Sequence, residues 1–212
     1  MASGTFVTFE GGEGTGKTTQ IARVKRKLDA AGVRSLVTRE PGGTPEAESI
    51  RQEILGSAAA RWSSLGELLL MYAARESHLR HVVRPALAEG VHVLCDRFMD
   101  SSRAYQGYAG GVSFDLIDRL ETEIVGTTRP DLTLIFDLDP VDGLNRARSR
   151  RGAQTDRFEG MDLKFHEALR AGFLAIAAEE PSRCVVIDAG GDEASVFDAV
   201  WRAMASKLPI PS

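Results

Sequence analysis

The chain has 212 residues, 43% hydrophobic and 26% charged, with a formal net charge of −4. That length and balance suit one globular domain with a full core, and they exclude a disordered chain and a broadly basic surface for nucleic acid or anionic membrane. Only Cys95 and Cys184 are present, each in an apolar run, which excludes a disulfide framework and makes both expected core thiols.

Thr5 to Phe9 reads as a strand, and Ile21, Val24, Leu28 and Ala31 recur at the three-and-four spacing of a helix. Between them Gly11-Gly12-Glu13-Gly14-Thr15-Gly16-Lys17-Thr18 matches GxxxxGK[ST]. Glycines let such a loop curl so that its N–H groups cradle phosphate oxygens at a helix N-terminus. Lys17 supplies a charge for β/γ-phosphates, and Thr18 offers a hydroxyl to Mg²⁺. Arg34 to Thr38 is the next strand, followed by the rigid turn Pro41-Gly42-Gly43 and a short helix over 44–57. Arg39 stands at the sheet end where a second phosphate-bearing ligand would lie; a plain turn fits the same residues.

A long helix is expected over 64–89, with Leu65, Leu68, Leu69, Tyr72, Leu79 and Val83 on its core stripe. Met71 and Arg75 lie beside that stripe, where Arg75 reaches either a ligand or solvent. Val91 to Cys95 is a strand ending at Asp96-Arg97. An acid at the end of an apolar strand beside a P-loop is the Walker B arrangement for Mg²⁺, and Arg97 could neutralise a transferring phosphoryl group. Asp137 and Asp139 compete with Asp96 for the metal role. Residues 96–111 read as a loop whose Ser101, Ser102, Arg103, Tyr105 and Gln106 suit a base and sugar, although such loops are common.

A helix over 113–125, a strand from Leu132 to Leu138, and a helix from Pro140 to about Ser149 come next. Arg146, Arg148, Arg150, Arg151 and Arg157 then crowd a short segment with few counter-charges, either a solvated basic helix end or a mobile lid at about 146–160. A helix over about 160–180, the strand Val185 to Ile187 and a helix over 193–207 complete the chain. Five strands alternating with helices imply an α/β fold with a parallel sheet covered on both faces. Ligands then belong beyond the C-terminal strand ends, at loops 10–18, 39–44, 96–111, 138–142 and 188–192.

Several blocks together resemble the bacterial thymidylate kinase family nearly end to end. They are Phe9-Glu10-Gly11 with the P-loop through Thr19, Thr38-Arg39-Glu40-Pro41-Gly42-Gly43-Thr44, Met71-Tyr72-Ala73-Ala74-Arg75, Asp96-Arg97-Phe98 with Ser101-Ser102 and Ala104-Tyr105-Gln106-Gly107, Arg129-Pro130-Asp131-Leu132-Thr133, and the Arg-rich segment. The resemblance implies a P-loop nucleoside-monophosphate-kinase-like fold over 1–212 and Mg²⁺-dependent transfer of the ATP γ-phosphoryl group to dTMP, giving dTDP and ADP for dTTP synthesis. It also implies a homodimer; the net charge of −4 predicts no nucleic-acid or membrane partner, and the lack of a signal-peptide pattern or spanning apolar run predicts a cytoplasmic protein.

Residue by residue, the resemblance gives the ATP phosphates to Gly11, Gly12, Glu13, Gly14, Thr15, Gly16, Lys17, Thr18 and Thr19, and Mg²⁺ to Thr18 and Asp96, directly or through water. Glu13 contacts the dTMP sugar hydroxyl, Arg39 and Arg97 the monophosphate, Arg75 the thymine, and Ser102 the pyrimidine edge. Tyr105 packs near C2′ against ribose, Gln106 lines the site, Leu55 walls the base, and Pro41 belongs to the dTMP site. The loop carries no Arg, so the catalytic guanidinium is expected from the lid, at Arg150 beside Lys17 and Arg97, with Arg148 or Arg151 able to share the role. Met71 stands where the family usually has Phe, which leaves base stacking and dTMP-over-dUMP selectivity open. Another nucleotide or deoxyribonucleoside kinase remains the rival reading; a nucleoside kinase needs a carboxylate base, for which Glu10 or Asp96 would serve. A guanine-reading Asn-Lys-x-Asp is absent, against a GTPase switch, and the intact Lys17, Thr18, Asp96 and Arg cluster argues against a nucleotide-binding module without turnover.

Overall fold

A computed structural model describes residues 3–56, 62–151 and 157–208, without the side chains of residues 150 and 151. At its centre lies β1 (Phe6–Gly11), buried along its whole length. It pairs in parallel with β3 (His92–Asp96) on one side and β4 (Leu132–Asp137) on the other, matching Phe9 with Asp96 and Gly11 with Phe136. The outer strands are β2 (Ser35–Arg39), against β3, and β5 (Cys184–Asp188), against β4, so the sheet order is β2-β3-β1-β4-β5. Every pairing is parallel, as the alternation of strands and helices predicts. The C-terminal ends of β1, β3 and β4 thus deliver the P-loop, Asp96 and Asp137 to one edge of the sheet.

Helices cover both faces. On one, α1 (Lys17–Ala30) and α9 (Glu193–Ala205) bury Ile21, Val24, Leu28, Val196 and Val200 against Phe9 and Leu134. On the other, α8 (Leu163–Glu179) packs Leu169, Phe173 and Ile176 over Ile135. Both cysteines are free and buried. Among the described residues no helix is long and apolar enough to cross a membrane.

Three local expectations are corrected. The helix expected over 64–89 is α3 (Ser64–His78), a π turn (Leu79–Val83) and α4 (Arg84–Ala88) in succession. The π turn eases the chain past Pro85, which has no N–H to donate and whose ring would press on an earlier carbonyl. Leu65 and Leu69 are 45% and 50% exposed, because the buried stripe of α3 is Leu68, Tyr72 and Arg75. Two apolar stripes lie side by side on this helix, and periodicity alone does not say which one has a partner. The loop expected over 96–111 is largely helical: α5 (Met99–Ser102) runs into a π turn over Arg103–Tyr108. Its Ser and Gly residues form helices weakly by themselves, so tertiary contacts impose the conformation.

The main contact of that kind is buried beneath the sheet. Asp100 of α5 takes a bidentate ion pair from Arg183, at 2.7 and 2.8 Å. Arg183 also donates to Thr133 Oγ1 of β4 at 2.7 Å, and Thr133 shares a 2.8 Å hydrogen bond with Thr8 of β1. The network ties α5 to the two central strands, and with it the site residues that α5 carries. Removing one partner of a buried pair strands the other charge. Asp100→Ala is expected to lower the unfolding free energy by about 3–5 kcal/mol, read by urea denaturation. A loss under about 1 kcal/mol would mean that Glu180, the second carboxylate on Arg183, suffices.

Candidate active site

The P-loop runs from Gly11 to Gly16 and opens directly into α1, which has no side-chain cap. Its first-turn N–H groups are therefore free to meet an anion. Gly14 is left-handed at φ 69°, and a Cβ there would fall 1.9 Å from the Gly143 carbonyl oxygen of α7 (Pro140–Arg151). Only glycine allows the loop to pass that close. Lys17 folds over the loop, donating to the carbonyls of Gly11 at 3.0 Å and Gly12 at 2.7 Å. Burial, helped by the Arg97 charge, pushes its ammonium down to about 8.

Thr18 Oγ1 donates to Asp96 Oδ2 at 2.9 Å, so a hydroxyl and a carboxylate stand together at the mouth of the loop. Two hard oxygens of this kind suit Mg²⁺, which keeps most of its shell for phosphate and water. Asp137, the sequence rival, is held by Arg170 at 2.6 and 2.9 Å, and Arg170 also lies near Asp139.

One cavity of about 180 Å³ joins this loop to most of the other expected residues. Gly14, Thr15, Gly16, Lys17, Thr18 and Asp96 line one end, and Leu55, Met71, Arg75, Ser102 and Gln106 the other, with Glu13, Arg39, Pro41, Arg97 and Tyr105 also on the wall. Arg97 has φ 69°, strained for a side-chain-bearing residue. Its conformation is held at several points. Its N–H donates to Phe9 O at 3.0 Å, and its guanidinium to Gly11 O at 2.9 Å and Glu13 Oε1 at 2.7 Å. Glu10 secures the turn after Arg97 by accepting from Phe98 N–H at 2.7 Å and Ser101 Oγ at 2.6 Å. Burial, together with the Asp100 charge, raises the Glu10 carboxyl to about 7.

At the far end Arg75 is fully enclosed, giving Nε–H to Glu40 at 2.8 Å and Nη2–H to Ser102 Oγ at 3.1 Å. Tyr105 donates its hydroxyl to Glu13 at 2.8 Å and packs edge-on against Phe158. Gln106 gives its amide N–H to Glu67 at 3.3 Å. Arg39 is exposed and paired with Glu48.

The Arg-rich segment behaves less uniformly than its charge run suggests. Arg146 donates to the carbonyls of Ala189 and Gly190, and Arg157 pairs with Glu67 across the molecule, so neither is a spare charge. Arg148 is exposed on α7. The side chains of Arg150 and Arg151, and residues 152–156 of the expected lid, lie outside the described residues.

Residues that sequence reasoning missed complete the site. Arg51 lines the cavity one turn before Leu55 on α2 (Pro45–Leu55), a spacing that could have revealed it. Glu40, Phe98 and Phe158 line it too, together with Ser101, which the sequence places in the base and sugar segment. A second cavity on the other side of the P-loop is bordered by Gly16, Thr19, Asn145, Arg146, Ala189, Gly191 and Glu193. The 188–192 loop, expected among the ligand loops at the strand ends, borders it through Ala189 and Gly191.

The sequence pattern of the thymidylate kinase family matches residues 9–200. A thymidylate kinase of Caulobacter vibrioides is 53% identical over 208 residues, spanning 98% of this chain and 99% of that protein. One from Bradyrhizobium diazoefficiens is 51% identical over 211 residues, spanning 99% of this chain and 92% of that protein. The crystal structure of a thymidylate kinase from Ehrlichia chaffeensis superposes with a TM-score of 0.76 at 35% identity, covering 95% of this chain and 99% of its own. Likeness of this degree reaches from the P-loop to the last helix, and the chain belongs to the thymidylate kinase family.

Proposed function

We propose that this chain transfers the γ-phosphoryl group of ATP to dTMP with the aid of Mg²⁺, yielding ADP and dTDP. The observation that carries this reading is the single cavity with a triphosphate cradle at one end and a polar pocket at the other, lined by four guanidinium side chains, Arg39, Arg51, Arg75 and Arg97. A nucleoside monophosphate has that shape and charge. An ionised oxygen of its phosphate attacks the γ-phosphorus, and the bond to the β–γ bridging oxygen breaks, leaving ADP. No general base is required. That suits Glu10, whose two oxygens are already engaged and which does not line the cavity.

The chain's own contribution is positioning and charge. Lys17 and the loop N–H groups hold the donor phosphates. Thr18 and Asp96 would hold Mg²⁺, which neutralises phosphate charge when bound. Arg39 and Arg97 receive the acceptor phosphate, Glu13 and Tyr105 its sugar, and Arg75, Ser102, Gln106, Met71 and Leu55 its base. The second cavity takes the adenine of ATP, its residues lying beside the P-loop. Residues 146–160 close as a lid and bring Arg150 to the transferring group. A homodimer through packed helices gains support from Leu65 and Leu69, an exposed apolar pair one turn apart on α3.

Three outcomes test this. A coupled ADP-release assay should show turnover with dTMP well above dUMP, CMP, AMP and thymidine; ADP from another acceptor and none from dTMP would sink the reading. Lys17 binds phosphate as a cation, and that charge is lost as pH rises through about 8 in the free enzyme. kcat/KM for ATP should then fall about tenfold per pH unit above that point, while the limb in kcat lies higher because bound phosphates favour the charged form. The same shift has the opposite sign in stability: folding gains as pH rises from about 8 toward 10.5, since the unfolded chain holds that proton longer. Arg150→Ala should cost roughly 10³-fold in kcat with little change in dTMP KM. Activity within a few-fold of wild type would shift the role to Arg148 or Arg151, tested by the same substitution at each.

A further inference from the structure

Arg75 is the deepest cation at the base end of the cavity, and its donors are unevenly used. Nε–H goes to Glu40 and Nη2–H to Ser102, whereas buried Nη1 has no hydrogen-bond acceptor among the described residues. The faces of the guanidinium are confined as well, with the Tyr72 ring centred 4.6 Å away and the Phe98 ring 5.1 Å away. A planar group held on two edges and two faces can offer only its remaining edge.

The carboxylate that sets this orientation is itself held. Glu40 Oε2 accepts from Arg75, while Glu40 Oε1 lies 2.9 Å from His78 Nδ1. His78 sits three residues after Arg75, on the same side of α3, and is fully buried. Its other nitrogen, Nε2, lies 2.7 Å from Thr38 Oγ1 on β2. In the neutral ring one nitrogen donates and the other accepts. The chain therefore runs in one direction: Thr38 O–H to Nε2, Nδ1–H to Glu40, and Arg75 Nε–H to the opposite oxygen of Glu40. The backbone is shaped around this contact. A Cβ on Gly43 would lie 2.6 Å from His78 Cδ2 and 2.9 Å from Nε2, and Gly43 has φ 87°.

We propose that Glu40 and His78 are positioning residues for the acceptor base, a relay from β2 that aims the free Nη1 edge of Arg75 at a carbonyl on the pyrimidine and so sets acceptor affinity and the preference for a 4-keto over a 4-amino pyrimidine. This rests on the dTMP reading above. A guanidinium edge matches a carbonyl oxygen; the amino group of cytosine would meet it donor to donor. Among the described residues Glu40 meets the donor end only through its backbone N–H, which donates to Asp96 O at 3.0 Å, so the relay of its carboxylate and His78 acts on one substrate.

The test is steady-state kinetics on both substrates, with dCMP as the mismatched acceptor. Glu40→Gln is expected to raise the dTMP KM about tenfold or more, to leave the ATP KM within about twofold, and to reduce the dTMP-over-dCMP ratio of kcat/KM. His78→Phe keeps the ring volume but not the hydrogen bonds and should raise dTMP KM in the same direction, while His78→Gln, which can donate and accept again, should recover most of the loss. In an Arg75→Ala background, Glu40→Gln should add almost nothing to the dTMP KM, because the relay has lost the group it aims. Folding of each variant is checked by circular dichroism, and if Glu40→Gln does not fold, the two His78 variants decide.

The inference is overturned by dTMP and ATP KM rising together, by Glu40→Gln costing as much without Arg75 as with it, or by His78→Gln matching His78→Phe. A wild type inert toward dTMP overturns the functional reading and this inference with it. A wild type active on dTMP, with variants unchanged, overturns the inference alone.

Discussion

A site for two phosphorylated substrates must collect cations in one place, and collected cations repel one another and resist burial. Each principal guanidinium or ammonium of the cavity is therefore given something negative to hold within the protein. Lys17 lies on P-loop carbonyls, Arg97 on Glu13 and a carbonyl, Arg75 on Glu40, and Arg39 on Glu48. Substrate binding on the proposed reading is an exchange of partners for Lys17, Arg97 and Arg39, in which phosphate oxygens replace backbone and carboxylate oxygens, while Arg75 keeps Glu40. The net gain per contact is smaller than for a bare cation, but the side chains are already near their working positions, and preorganisation of that kind is where electrostatic catalysis has its effect.

The same carboxylates also shape the backbone. Glu10 precedes the P-loop and Glu13 lies within it, yet they serve Arg97 and the turn after it: Glu13 takes the guanidinium, and Glu10 takes the Phe98 N–H and Ser101 hydroxyl. A left-handed Arg97 is tolerated because these bonds over-determine it. Asp100, one residue before Ser101, then anchors its helix to β4 through Arg183 and Thr133. Donor cradle and acceptor pocket are thus joined by a short run of chain, residues 96–106, whose conformation is dictated from β1 and β4.

This arrangement explains which parts of the site could be read in advance. The P-loop, the parallel sheet and the strand ends announce themselves through local pattern, and the order of the elements comes from alternation. The family resemblance supplied residues such as Leu55 and Ser102, which pattern alone leaves ambiguous. The features that stayed hidden depend on contacts distant in sequence. Residues 99–108 are helical because Asp100 is buried under Arg183, a partner 83 positions away. Glu40 reads as a turn residue until Arg75 and His78 are seen against it. Leu65 and Leu69 have the spacing of core residues and lie at the surface. The Arg-rich segment looked short of counter-charge because the acid that Arg157 pairs with, Glu67, comes from a helix far earlier in the chain.

That last pair also shows how the described flanks of the Arg-rich segment are held. Arg146 on α7 is fixed to the carbonyls of Ala189 and Gly190, beside the cavity assigned to adenine. Arg157, on the other flank, is fixed to Glu67, which also takes the amide of Gln106 in the acceptor pocket. The two flanks of the segment are therefore tied to opposite substrate sites. On the proposed reading, filling the acceptor pocket bears on Gln106, Glu67 and Arg157, and filling the donor pocket bears on Arg146.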